Sequence, residues 1–169
     1  MIVIPNVENK NGFWEGTVNL KEWNDYFENV IDIKLNVGGD TKVDSLEVFH
    51  KESFEYLMKN QKTLLGTILD ELFTNYSMLQ DEYGYDDEEK DEVMPDLKSV
   101  DELKKLLTPQ RIHILNVRKD DVVYLGFHFL CTWDEEHDFG VMLANNTIVK
   151  MGYGEDAFLN WIAEEHAKN

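Results

Sequence analysis

The chain has 169 residues, 43% of them hydrophobic and 12% aromatic, which is the size and make-up of one folded domain spanning 1–169 rather than of a disordered chain. Its 34 Asp and Glu against 16 Lys and Arg give a formal net charge of −18; nucleic acid and anionic membrane surfaces, which must be met by clustered cations, are therefore not expected partners. The single cysteine, Cys131, excludes an internal disulfide and a four-thiolate zinc site. Met1-Ile2-Val3-Ile4-Pro5-Asn6 has neither the basic start nor the apolar length of a secretion signal, so a cytoplasmic protein is expected.

Phe13 to Leu20 alternates, with Trp14, Gly16, Val18 and Leu20 on one face and Phe13, Glu15, Thr17 and Asn19 on the other, the pattern of a half-buried strand. Ile31, Ile33, Leu35 and Val37 repeat it up to Gly38-Gly39-Asp40, and the two strands are expected to pair. The connection 21–30 is too long for a tight turn and is predicted as a loop or short helical turn that sets Trp23, Tyr26 and Phe27 on the core edge. Asp44-Ser45-Leu46-Glu47 has the spacing of a capping box and opens a helix through Leu46, Phe49, Phe54, Leu57 and Met58. A second, long helix carries Leu64, Leu65, Ile68, Leu69, Leu72, Phe73, Tyr76 and Leu79 on one face.

Residues 81–96 open with eight acidic side chains, one Lys and no aliphatic residue between Asp81 and Glu92. Such a segment is predicted as an acidic loop or disordered insert, and its spacing does not match a calcium-binding EF-hand loop. Ser99-Val100-Asp101-Glu102 is another capping box, for a short helix that Thr108-Pro109 stops. Arg111 to Val117 and Val122 to Trp133 then read as strands joined by a turn at Arg118 to Asp121. In the second, Val123, Leu125, Phe127, Phe129, Cys131 and Trp133 form an apolar row. Val141 to Ala144 and Thr147 to Met151 flank Asn145-Asn146, a tight hairpin. Glu155 to Ala167 closes the chain as an amphipathic helix. This order predicts an α+β fold: a mainly antiparallel sheet, made of an N-terminal strand pair and a C-terminal meander, packed against two or three helices, with a C-terminal helix.

The densest chemistry lies in Asp134, Glu135, Glu136, His137 and Asp138, four carboxylates and an imidazole at the end of a strand. Neighbouring side chains point in different directions, so all five cannot converge. They are the candidate partner-binding residues. The alternative is a metal site or metal-dependent hydrolase using Asp134, Glu136 and His137, since alternate positions of an extended segment share a face and a hard divalent ion takes oxygens with an imidazole. His113 or His128 is the candidate to complete such a site from a neighbouring strand. The plainer expectation has Trp133 anchoring the strand end, Asp134 bonding local amides and the other charges solvated. Cys131 falls in the apolar row and reads as a buried structural thiol. His50 and His166 lack a ligand at metal spacing and read as surface or boundary residues. Gly38-Gly39 and Gly152-Tyr153-Gly154 are turn glycines without a phosphate-loop pattern, so no cofactor is expected.

Trp14-Glu15-Gly16, the helix ending Ile68-Leu69-Asp70-Glu71-Leu72-Phe73-Thr74-Asn75-Tyr76, and Cys131-Thr132-Trp133-Asp134-Glu135-Glu136-His137 with Gly140-Val141 and Phe158 together resemble a bacterial family of domains of unknown function. Its hallmark is Trp-Asp-Glu-Glu-His-Gly, and Asp138 stands here in place of the glycine, adding a fourth carboxylate. The resemblance spans nearly the whole chain. It implies a cytosolic bacterial protein without an established activity, similar to small acidic proteins that act as immunity or accessory proteins beside toxins. The −18 charge, the acidic run from Asp81 to Glu92 and the missing catalytic pattern give the expectation of a non-enzymatic acidic protein-binding module whose partner is a basic protein, such as a toxin that it neutralises.

Overall fold

The alternating segments assemble into one seven-stranded sheet in the computed structural model, which describes residues 1–169. The strands β1 (Val7–Lys10), β2 (Phe13–Asn19), β3 (Asp32–Val37), β4 (Leu107–Ile114), β5 (Tyr124–Cys131), β6 (Phe139–Ala144) and β7 (Thr147–Gly152) lie side by side in chain order. Every neighbouring pair is antiparallel except β3 and β4, which are parallel. Parallel neighbours require a long crossover. Here it holds α2 (Val48–Tyr83), α3 (Asp87–Val93) and a 3-10 turn at Val100–Lys105. The shorter α1 (Lys21–Phe27) joins β2 to β3, and a 3-10 turn at Gly154–Ala157 leads into α4 (Asn160–Ala167). The α+β class, the N-terminal pair, the C-terminal meander and the terminal helix are all present.

The two faces of the sheet are covered differently. The apolar row Leu125, Phe127, Phe129, Cys131 and Trp133 shares the main core with Leu57, Leu64, Ile68, Leu72 and Tyr76 of α2. Trp23 of α1 stacks on Phe127 and Phe129 at 5.5 and 5.8 Å between ring centroids. On the opposite face Tyr124, Met142 and Ala144 pack against Ile162 and Ala163 of α4. There the 154–157 turn lies directly on the strands. A Cβ on Gly126 would come within 1.5 Å of the Ala157 carbonyl oxygen, and one on Gly140 within 2.3 Å of that of Tyr153.

Several details differ from the sequence expectation, among them the added strand β1 and a terminal helix that starts at Asn160 rather than Glu155. The two central helices are one, kinked at Asn60 (φ −114°, ψ 15°), beside which the Gln61 carbonyl accepts the Trp23 indole N–H at 2.8 Å. That helix is capped by Glu47, not Asp44, because His50 Nδ1 accepts the Glu47 N–H at 3.0 Å and completes the box. The acidic 81–96 segment is not a loop throughout: α2 runs to Tyr83, and Asp87–Val93 is helical with Asp86 as its cap. Acidic side chains in a first turn favour the helix dipole there. Pro109 does not stop a helix but lies within β4, where a bulge between Pro109 and Arg111 accommodates its missing N–H.

Candidate functional site

The end of α2 brings two acidic stretches together that the sequence keeps apart. Gly84, at φ 63°, ends the helix by donating its N–H to the Gln80 carbonyl, and the tyrosines on either side of it turn toward the end of β5. The Tyr83 hydroxyl donates to Asp134 Oδ2 at 2.7 Å, the Tyr85 hydroxyl to the Trp133 carbonyl, and the Thr132 hydroxyl to the Val93 carbonyl at 2.7 Å. The acidic α3 and the 134–138 turn therefore form one surface. Lys90, the only cation on α3, is engaged with Asp96 at 2.9 Å.

Within the turn, Asp134 Oδ1 accepts the His137 N–H at 3.0 Å and lies 3.0 Å from His137 Nδ1. Burial pushes the Asp134 carboxyl up, but the hydrogen bonds from Tyr83 and His137 outweigh it and hold the group below the usual carboxylate value. Asp138 adopts a left-handed backbone (φ 59°), a conformation free to glycine and tolerated by aspartate. Its N–H bonds the Asp134 carbonyl at 3.0 Å, and its Oδ2 meets His128 Nε2 at 2.7 Å. The His137 ring stacks on Tyr153 at 4.5 Å.

Tyr83, Asp138 and Tyr153 among them border a cleft of about 490 Å³ between the end of α2, the turn and edge strand β7. Leu79, Trp133, Phe139 and Met151 give it apolar walls; Tyr83 and Tyr153 add aromatic ones, and Glu82, Asp138, Asp156 and Lys150 supply the charge. Lys150 is partly neutralised by Asp156 at 3.3 Å and sits over the Trp161 ring. Three carboxylates thus face one ammonium. Aromatic faces beside carboxylates suit a cation, which gains from both the ring quadrupole and the charge.

Asp134, His137 and Asp138 are thus tied into this arrangement, with His128 as the partner from a neighbouring strand, while Glu135 and Glu136 are exposed. Asp134 and Glu136 do not share a face, since the segment is a series of turns rather than extended chain. No three His, Cys, Asp or Glu side chains gather where they could hold a metal ion. His113 stays apart, its Nδ1 3.2 Å from Asn36 Oδ1. His50 is fully buried, not at the surface, because its ring completes the capping box of Glu47 and meets Asn116 at 3.0 Å. His166 is half-buried and 2.9 Å from the Tyr124 hydroxyl. Cys131 is buried, and burial pushes its thiol up to about 12, far from a reactive thiolate. Sequence reasoning passed over Tyr83, Tyr85, Lys150, Tyr153 and Asp156. The one signal for them was a pair of tyrosines flanking Gly84 in an acidic run without aliphatic residues.

No helix is long and apolar enough to cross a membrane. No curated protein and no solved structure shows a match to the chain. The family described as a domain of unknown function (DUF6985) matches residues 4–159, which hold all seven strands and every helix but α4, and the chain belongs to that family.

Proposed function

We propose that the protein is a non-enzymatic binding module that receives a basic protein partner on the face formed by α3, the 134–138 turn and the adjoining cleft. The observation that carries this reading is the junction of two acidic segments through Tyr83, Tyr85 and Thr132. It sets a dense negative surface around a concave pocket with aromatic walls. A basic side chain entering the cleft meets Tyr83, Tyr153 and Glu82, while the surrounding carboxylates steer the approach. Occlusion of a basic toxin, as an immunity protein performs it, is the specific form of this reading, supported by the −18 charge and by a pocket that lacks a reactive nucleophile.

The test uses an arginine-rich peptide as probe, with fluorescence anisotropy on the full chain. A face variant combining Glu82→Lys, Glu135→Lys and Glu136→Lys is compared with a distal variant of equal charge, Asp44→Lys, Glu52→Lys and Glu55→Lys. Wild type and distal variant should bind, more weakly by about tenfold or more between about 50 and about 300 mM salt, whereas the face variant loses binding. Equal binding by both variants would reduce the association to diffuse charge and overturn the assignment of the face.

A further inference from the structure

We propose that the sheet carries a second site of opposite sign, a cleft of about 280 Å³ in which Lys10, Lys34 and Arg111 surround Thr17 and Asn36 and bind a small oxyanion, carboxylate or phosphate. The register places two of the cations side by side. Lys34 and Arg111 are direct partners across the parallel β3–β4 pair, and like charges directly opposite one another are destabilising unless something neutral or anionic separates them. In a chain with twice as many acids as bases, neither has an ion pair. Lys10 has only a loose one, to Glu8 at 3.8 Å. Glu15, the one carboxylate on the lining, stands beyond ion-pair distance of all three.

Asn36 supplies an independent sign. It is only 6% exposed, and its Oδ1 lies 3.2 Å from His113 Nδ1. Burial first, then the charges of Arg111 and His128, hold the His113 ring neutral, its pKa pushed down to about 3. The Asn36 oxygen, not its NH₂, faces the ring, so the neutral ring meets it with the Nδ1–H. That bond fixes the Asn36 side chain with its NH₂ turned away from the ring, and this group has no protein partner. The cleft that Asn36 lines therefore has a preset donor at its floor, a guanidinium fork able to grip two oxygens, and two ammonium groups. It lies on the β1–β4 half of the sheet, away from the cleft at β7, and is independent of the partner-binding reading.

Backbone NMR titrations of the full chain with sodium phosphate, sodium acetate and, at matched ionic strength, sodium chloride would test this. Saturable shifts at the Lys34, Asn36 and Arg111 amides are expected with an oxyanion and not with chloride. Saturation by phosphate alone assigns a phosphate group, and saturation by acetate as well assigns the wider carboxylate class. Arg111→Gln should weaken binding by about tenfold or more. Lys34→Gln, at an exposed side chain, should act in the same direction and carries the test if the first variant does not fold. Unsaturated, linear shifts in both oxyanion arms, or folded variants that titrate like wild type, would overturn the proposal.

Discussion

The contact between the 154–157 turn and the sheet makes a single methyl group decisive. A Cβ on Gly126 would sit 1.5 Å from the Ala157 carbonyl oxygen and 2.5 Å from its carbonyl carbon. Relief requires moving backbone, not a flexible side chain, by well over an ångström. Ala157 is fully buried and Asp156 nearly so, so the turn cannot lift without exposing them. Overpacking of well-packed sites costs about 1–3 kcal/mol and more where backbone must move, which places Gly126→Ala at about 3 kcal/mol or above. Gly66, in the middle of α2, is the internal control, because a Cβ there meets nothing within 4 Å. Gly66→Ala should stabilise by about 0.5–1 kcal/mol, since alanine loses less backbone freedom in a helix. Urea melts of the two variants with unchanged slopes measure both values. A loss below about 1 kcal/mol for Gly126→Ala would refute the close packing of turn on strand.

Two further outcomes follow from the buried groups. Phe129→Ala, which empties a fully buried site between Trp23 and Phe139, should cost about 3–5 kcal/mol in a chemical melt, and a loss below about 1 kcal/mol would reject its place in the core. His113 has a folded value of about 3 against 6.5 for the free side chain, so between those values the unfolded chain binds a proton that the folded one refuses. The stabilisation is complete above about pH 6.5 and is lost as pH falls toward about 3, with roughly 2 kcal/mol gone by about pH 5. Stability measured from about pH 7.5 to about pH 5 should fall less steeply in His113→Gln, and parallel curves would contradict the buried neutral ring. His50, also lowered by burial, adds a slope of the same sign in both proteins.

Much of the sheet was legible because its signals are local. The row from Val123 to Trp133 repeats every second residue with large side chains, and Asn145 takes the left-handed backbone (φ 51°) expected of its tight hairpin. Ser99 and Glu102 close the capping box that their spacing announces. The parallel β3–β4 pair was not legible, because its partners are separated by every helix of the crossover and neither strand encodes the direction of its neighbour. The acidic helix α3 was hidden for a different reason. Charge density argued against packing, yet Asp86 caps it, its first-turn acids suit the helix dipole, and Val93 and Met94 beside its end reach the main core. A few anchoring contacts outweigh the repulsion of side chains that stay in water.

The candidate site divides along the same line between local and long-range causes. Asp134 bonding the His137 amide is an interaction three residues long, and residue types alone suggest it. The meeting of Tyr83 with Asp134, and of Lys34 with Arg111, depends on which elements the topology makes neighbours. Composition gives one number, −18, as though the charge were spread evenly. The fold instead gathers carboxylates where α2 and β5 end, and sets three cations together on the β1–β4 half of the sheet. Fields from separated groups are screened beyond about 8–10 Å in physiological salt, so a ligand in either cleft responds to the charges lining it rather than to the molecular total. A strongly acidic chain thereby carries one cleft lined mainly by carboxylates and another lined mainly by cations.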